Sequence, residues 1–272
     1  MLGKEIRMGK IINPVTKKML IAPIDHGISD GPIKGLVNPS ETINLVSKSA
    51  DSVIMHKGLV SQSVGNMNGA GLIVHLSAGT MIAPDSLDKI IVTTVKEAIS
   101  LGADAISVHM NVGANSTSKM MEDMGKISRE CNEMGMPLII MMYPRGEKVT
   151  NEKDVEMVKL AARIGAELGA DIVKTNYTGS IESFKEVVAG CHVPIVIAGG
   201  SKGTDKEILQ NVRDAMEAGA AGVAMGRNSF QHDSPEKFLK AVSLIIHESM
   251  SVEQAIMESG LNERIDNRCK AI

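Results

Sequence analysis

"ELGADIVKTNY", residues 167–177, ends one kind of element and begins another. Glu167 and Leu168 close a helical run, Gly169 is the residue that takes a left-handed helix end cheaply, and Ile172 and Val173 open an apolar strand. The same punctuation recurs in "SLGADAISVHM" (100–110), "EMGMPLIIMMY" (133–143) and "EAGAAGVAMGR" (217–227). The strands it introduces are short and nearly continuous in apolar character, as parallel strands are when both faces are covered. "KMLIAPIDHG" (18–27), "DSVIMHKG" (51–58), "GLIVHLSAG" (71–79) and "CHVPIVIAGG" (191–200) complete the set. Eight strands are expected, beginning near residues 19, 52, 72, 104, 137, 171, 193 and 222.

Helical periodicity fills most of the intervals. In "SLDKIIVTTVKEAISLG" (86–102) the residues Leu87, Ile90, Ile91, Val95 and Ala98 make one apolar face, with Ser86 as the expected cap. "NEKDVEMVKLAARIGAELG" (151–169) repeats the design with Val155, Val158, Ala162 and Leu168 facing in. Eight strands alternating with helices predict an α/β fold, a single (β/α)8 TIM barrel with a parallel eight-stranded core spanning residues 1–272. A doubly wound open sheet is compatible with the same alternation, but the regular spacing and the late glycines favour the barrel. The polar "NERIDNRCKAI" (262–272) reads as a short C-terminal tail or an oligomer arm.

Composition narrows the function classes. The formal net charge of −3 gives no electrostatic reason to expect nucleic acid or an anionic membrane as partner. No apolar run is long enough to span a bilayer and charges run through residues 1–18, so a soluble cytoplasmic protein is expected. Cys131, Cys191 and Cys269 are odd in number and widely spaced, which argues against disulfides or a cysteine zinc site. With aromatics at 2%, the 19 methionines read as core filler.

In a barrel, chemistry gathers at the C-terminal ends of the strands. Those ends carry Asp25-His26, His56-Lys57, His75, His109, Tyr143-Pro144-Arg145, Lys174, Gly199-Gly200 and Gly226-Arg227. Ile172, Lys174 and Asn176 share one strand face. If that face is the barrel interior, burial favours the neutral amine, which attacks carbonyls to form a Schiff base. The plain alternative is an ammonium paired with a carboxylate such as Asp25 merely to satisfy it. Tyr143, on the neighbouring strand, shares a face with Met141 and Ile139 and would supply a phenol for acid/base work. Asp25 would assist dehydration or accept a proton. "IAGGSKG" (197–203) and "AMGRNSF" (224–230) would bring backbone N–H groups and Arg227 round a phosphate. His26, His56, His75 and His109 leave a metal-assisted reading open, although no HxH or HExxH spacing joins two of them. His192 and His232 read as surface or loop residues, and His247 lies in a late helix.

Taken together, "IDHGISDGP" (24–32), "MMYPRGEKV" (141–149), "GADIVKTNYTGS" (169–180), "IAGGSKG" (197–203) and "GVAMGRNSFQ" (222–231) resemble the archaeal-type class I aldolases, in family order and across most of the chain. The resemblance implies Lys174 as Schiff-base residue, Tyr143 as proton donor and Asp25 as proton acceptor. It also implies substrate contacts from Asp25, His26, Gly27, Ile28, Ser29, Tyr143, Pro144, Arg145, Gly199, Gly200, Gly226 and Arg227. The nearest branch is transaldolase-like and serves an aromatic-amino-acid route. Its reaction would join a fragment of the phosphorylated keto sugar 6-deoxy-5-ketofructose 1-phosphate to L-aspartate semialdehyde. No metal or other cofactor is implied, since the iminium is the electron sink, and a homo-oligomer is expected, with decamers among the family's assemblies. Fructose-bisphosphate cleavage is the alternative within the family, and a sugar-phosphate binding protein the one outside it. Asp30 stands where many sugar-bisphosphate members would carry His; an acid facing the ligand would repel a second phosphate.

Overall fold

The computed structural model describes residues 2–200 and 203–261. Its parallel strands are β1 (Met19–Pro23), β2 (Ser52–Met55) and β3 (Gly71–His75), and, after a two-stranded hairpin of β4 (Ser77–Ala78) and β5 (Ile90–Ile91), β6 (Ala105–Val112), β7 (Leu138–Pro144), β8 (Ile172–Thr175), β9 (Ile195–Ala198) and β10 (Gly222–Ala224). The eight outside the hairpin close into a barrel in the order β1-β2-β3-β6-β7-β8-β9-β10, with β10 pairing back to β1. All eight expected strands are present, each starting within two residues of its expected position.

The glycine punctuation works as expected, with Gly102, Gly135, Gly169 and Gly219 all at positive φ where a helix hands over to a strand. A second device follows directly. Leu20 N–H donates to Asp51 Oδ2 (2.7 Å) while Asp51 N–H donates to the Leu20 carbonyl (2.8 Å). Asp104 grips Leu72 in the same way, and Asp171 grips Leu138. Each aspartate thus stitches the start of its own strand to the barrel strand before it. Asp171 is in turn held by the Lys4 ammonium at 2.9 Å.

Alternation sorts the strand side chains into two layers. Met19, Ile21, Ile54, Ile73, Ala105, Ile139, Met141, Ile172, Val196 and Ala224 fill the barrel axis. Ile11, at the end of the N-terminal helix Leu2–Ile11, joins the same cluster and plugs the end of the barrel where the strands begin. Leu20, Val53, Leu72, Val108, Ile140 and Val173 face outward into the helix layer. Methionines serve in both layers, as the composition suggested. The helix Val155–Glu167 buries Val158 and Ala162 as expected, with the Asp154 carboxylate accepting from Glu156 N and Met157 N.

One expected helix is corrected. Residues 86–94 are not helical: Ile90 and Ile91 form β5, antiparallel to β4, and the helix runs only from Val95 to Ser100. Its true start is a capping box in which Thr94 and Glu97 bond each other's backbone N–H. Leu87, Ile90 and Ile91 have the spacing of a helix face by coincidence. His232 lies in a loop, as one of the two readings had it, but not at the surface: it is buried against Asp205 and stacked on Phe238. Cys131 and Cys191 are buried and free, and burial pushes the Cys131 thiol up to about 12. The expected tail at 262–272, with Cys269, lies outside the described residues. Among the described residues no helix is long and apolar enough to cross a membrane.

The stitches predict a stability effect at a distance from any chemistry. Asp104→Ala should cost about 1.5–3 kcal/mol, the range for a hydrogen bond to a charged group, read as a lowered urea midpoint at unchanged m-value.

Candidate active site

The same alternation that fills the axis with apolar side chains sets polar ones at its far end. On the inward face Asp25 follows β1, His56 follows β2, and His75 ends β3. Ser107, His109 and Asn111 lie along β6, Tyr143 on β7 and Lys174 on β8. Lys174 is 7% exposed and pairs in register with Met141, whose Sδ is 3.9 Å from the ammonium nitrogen. Among the described residues no carboxylate reaches ion-pair distance of that nitrogen. A lysine kept merely as half of a buried ion pair with Asp25 is therefore not what the fold contains. Tyr143 sits two residues beyond Met141 on the adjoining strand, its ring 5.1 Å from that of His109 and 4.6 Å beneath the Arg145 guanidinium.

Behind these groups runs a chain of polar contacts. His75 Nδ1 lies 2.8 Å from Ser107 Oγ, and His75 Nε2 lies 3.2 Å from Ser77 Oγ. Ser77 Oγ accepts the His109 backbone N–H at 2.9 Å, and His109 Nε2 lies 2.9 Å from Asn111 Oδ1. The Asn111 amide donates to the Leu87 carbonyl at 2.6 Å. Asp25 approaches His75 at 3.8 Å and His26 at 3.6 Å. Burial pushes the Asp25 carboxyl toward protonation, but His75, His26, Lys174 and His56 outweigh it and hold it well below the usual carboxylate range. Burial also pulls His75 down to about 4 against the attraction of Asp25, so near neutrality His75 faces the carboxylate as a dipole and not as an ion.

Two connected recesses open over this floor, of about 240 and 290 Å³. Both include Lys174, Tyr143, His26, Arg145 and Arg227. The first adds Gly199, Gly200, Gly226 and Asn228; the second adds Asp25, Ser29, Asp30 and Lys89. Most of the residues singled out in the sequence are thus brought together, whereas Gly27, Ile28 and Pro144 line neither recess. Gly226 is required by contact, since a Cβ there would fall 2.4 Å from the His26 ring. A larger cavity of about 600 Å³ between β9 and the helix Asp205–Glu217 contains neither Lys174 nor Tyr143, so the amine and phenol define the site and cavity size does not. Lys57, a candidate amine by sequence, is exposed and paired with Glu97 at 3.1 Å. Among the described residues no three His, Cys, Asp or Glu side chains are grouped as a metal ion would need.

Residues 19–232 match the family model for DeoC/LacD family aldolases. The chain belongs to that family. It is 46% identical to the 2-amino-3,7-dideoxy-D-threo-hept-6-ulosonate synthase 1 of Archaeoglobus fulgidus, over 96% of this chain and 97% of the relative. Identity to the corresponding synthase of Halobacterium salinarum is 40%, over 95% and 97%. The solved structure of a Schiff-base-forming fructose-1,6-bisphosphate aldolase superposes with a TM-score of 0.83 at 32% identity, over 90% of this chain and 99% of that one. The protein is an enzyme of the class I, Schiff-base type.

Several residues of or behind the wall of this aldolase were not singled out in the sequence, although Asn176 was placed on the face of Lys174. Ser107 and Asn111 share the inward parity of His109 and were open to the alternation rule. Lys89 was hidden by the mistaken helix. Glu152, Lys153 and Asn176 gather through long-range contacts, with Arg145 Nε donating to Glu152 at 2.9 Å and the Asn176 amide to the Glu152 carbonyl at 3.0 Å.

The buried imidazoles of the aldolase give its stability an acid limb. His75 falls from 6.5 to about 4 and His109 from 6.5 to about 3, both chiefly through burial. Between those values the unfolded chain binds more protons than the folded one. Stability is therefore complete above pH 6.5 and is lost as the pH falls toward 4. Each histidine should add a slope of up to about 1.4 kcal/mol per pH unit. Urea titrations across this range check it: the wild type should weaken steadily with acid, and a His75→Gln/His109→Gln double variant should show a flatter profile.

Proposed function

We propose that this aldolase is a transaldolase-type synthase that makes 2-amino-3,7-dideoxy-D-threo-hept-6-ulosonate from a phosphorylated keto sugar and L-aspartate semialdehyde. The observation that carries the reading is a buried lysine amine, unpaired with any carboxylate among the described residues, opening onto the same recesses as a tyrosine phenol. The Lys174 amine adds to the donor's carbonyl, and loss of water from the carbinolamine leaves an iminium. Removal of the proton from the hydroxyl two carbons away breaks the carbon–carbon bond, and the bonding pair passes to the iminium to give an enamine. The released fragment carries the aldehyde newly formed at that hydroxyl carbon and keeps its phosphate. The enamine carbon then attacks the acceptor aldehyde, and hydrolysis frees Lys174 with the new ketone.

Tyr143 is the proton donor and Asp25 the proton acceptor in this scheme, the latter ionised as its lowered pKa favours. Gly199, Gly200, Gly226, Arg227 and Arg145 are proposed to hold the sugar phosphate, because they share one recess with Lys174. The phosphate anchor holds the carbonyl against the amine and lowers the entropic part of the barrel-bound reaction's barrier. No cofactor enters. The synthase reading is supported over fructose-bisphosphate cleavage by the 46% and 40% identities to named synthases and by Asp30, an acid lining the wall where a second phosphate would approach. A cytoplasmic homo-oligomer is the proposed working form.

Borohydride reduction in the presence of the keto sugar phosphate should fix the donor to Lys174, located by mass mapping; label on another lysine would overturn the assignment. Lys174→Met should neither be labelled nor turn over. Tyr143→Phe should lose about 10²- to 10⁴-fold in kcat, the usual worth of a positioned acid/base, while still being trapped by borohydride.

A further inference from the structure

The β4–β5 hairpin delivers a charge to the mouth of the site. Lys89, just before β5, is half-buried in the wall of the recess that also holds Lys174 and Tyr143. Its ammonium donates to the Ser86 carbonyl at 3.0 Å. A Cβ on Gly79 would fall 2.5 Å from the Asp88 carbonyl oxygen and 2.7 Å from Lys89 Nζ, so the glycine lets the two arms of the hairpin approach closely at its base. The hairpin is docked on the short helix Gly27–Asp30: Ser29 Oγ donates to the Gly79 carbonyl at 2.9 Å and Met81 N–H to the Ser29 carbonyl at 3.2 Å. The residue next to Ser29 is Asp30, which lines the same recess.

Among the described residues the Asp30 carboxylate makes no ion pair or hydrogen bond, and Lys89 reaches no carboxylate. Lys57 is paired with Glu97, Arg145 with Glu152 and Lys34 with Asp233. Burial and the Arg145 charge both disfavour the Lys89 ammonium, with Asp88, Asp30 and Asp85 pulling the other way. A positive and a negative group on one wall, neither held in an ion pair among the described residues, suit a ligand that carries both signs.

We infer that Asp30 and Lys89 form the acceptor subsite and read an α-amino acid, Lys89 taking the α-carboxylate and Asp30 the α-ammonium, with the aldehyde directed at the enamine on Lys174. This rests on the Schiff-base synthase reading and adds to it the groups that choose the acceptor. It also gives Asp30 a positive role besides repelling a second phosphate. In the named relatives the product is a seven-carbon 2-amino acid, so adjacent amino and carboxylate groups are what such a subsite would see.

The test is a crossed acceptor series at saturating keto sugar phosphate, with carbon–carbon bond formation measured for L-aspartate semialdehyde, for succinic semialdehyde, which lacks the ammonium, and for 3-aminopropanal, which lacks the carboxylate. Wild-type kcat/KM should fall at least about tenfold for each truncated acceptor. Asp30→Asn should lose about tenfold on L-aspartate semialdehyde, through KM, and little on succinic semialdehyde. Lys89→Met should lose on both carboxylates and little on 3-aminopropanal. Losses that are uniform over the three acceptors, or absent, overturn the subsite, as does a wild-type enzyme indifferent to the amino group. Failure of the Schiff-base reading itself would show separately, as absence of borohydride label at Lys174 with the sugar phosphate alone.

Discussion

Register is the constraint on which the rest of this molecule depends. In a parallel barrel each strand has one face toward the axis and one toward the helices, and a slip of a single residue exchanges them. For β8 such a slip would turn Lys174 into the apolar helix layer and bring Val173 to the axis. The exchanged bonds between Asp51 and Leu20, Asp104 and Leu72, and Asp171 and Leu138 fix three of the strand pairs at their starts, far from the chemistry. What they hold in place at the other end is a pair of side chains on adjoining strands, an amine on β8 and a phenol on β7.

The electrostatics of the floor follow from its depth. His75 and His109 are so well buried that desolvation dominates their titration, and their ring nitrogens are engaged by serine and asparagine side chains. Polar groups that are neutral and hydrogen-bonded can be stacked beneath an active site without crowding it with charge. The ionisable groups that remain include Asp25, Lys174 and the recess-lining Arg145, Arg227, Asp30 and Lys89.

Much of this was legible in the sequence because it rests on short-range rules. The helix-ending glycines and period-two strands located all eight barrel strands, and alternation alone put Lys174 with Ile172 and Tyr143 with Met141. The misread stretch, residues 86–94, shows where such rules stop. Leu87, Ile90 and Ile91 satisfy helical spacing, and only the Thr94–Glu97 capping box marks the real beginning of the helix. The burial of His232 was missed for a different reason: its partner Asp205 is far along the chain, and no local pattern announces such a contact. Glu152 and Lys89 belong to the same class, residues whose meaning is set by neighbours distant in sequence.

The plug formed by Ile11 has a kinetic consequence. Among the described residues the strand-start end is sealed by an aliphatic side chain packed among Met19, Ile21 and Ala105. On the proposed reaction, donor, departing fragment, acceptor and product would all pass through the recesses over Lys174. Occupancy in the proposed reaction would then be sequential: the first fragment would have to vacate the vestibule before the second aldehyde is admitted, with the remainder waiting on the lysine in the interval.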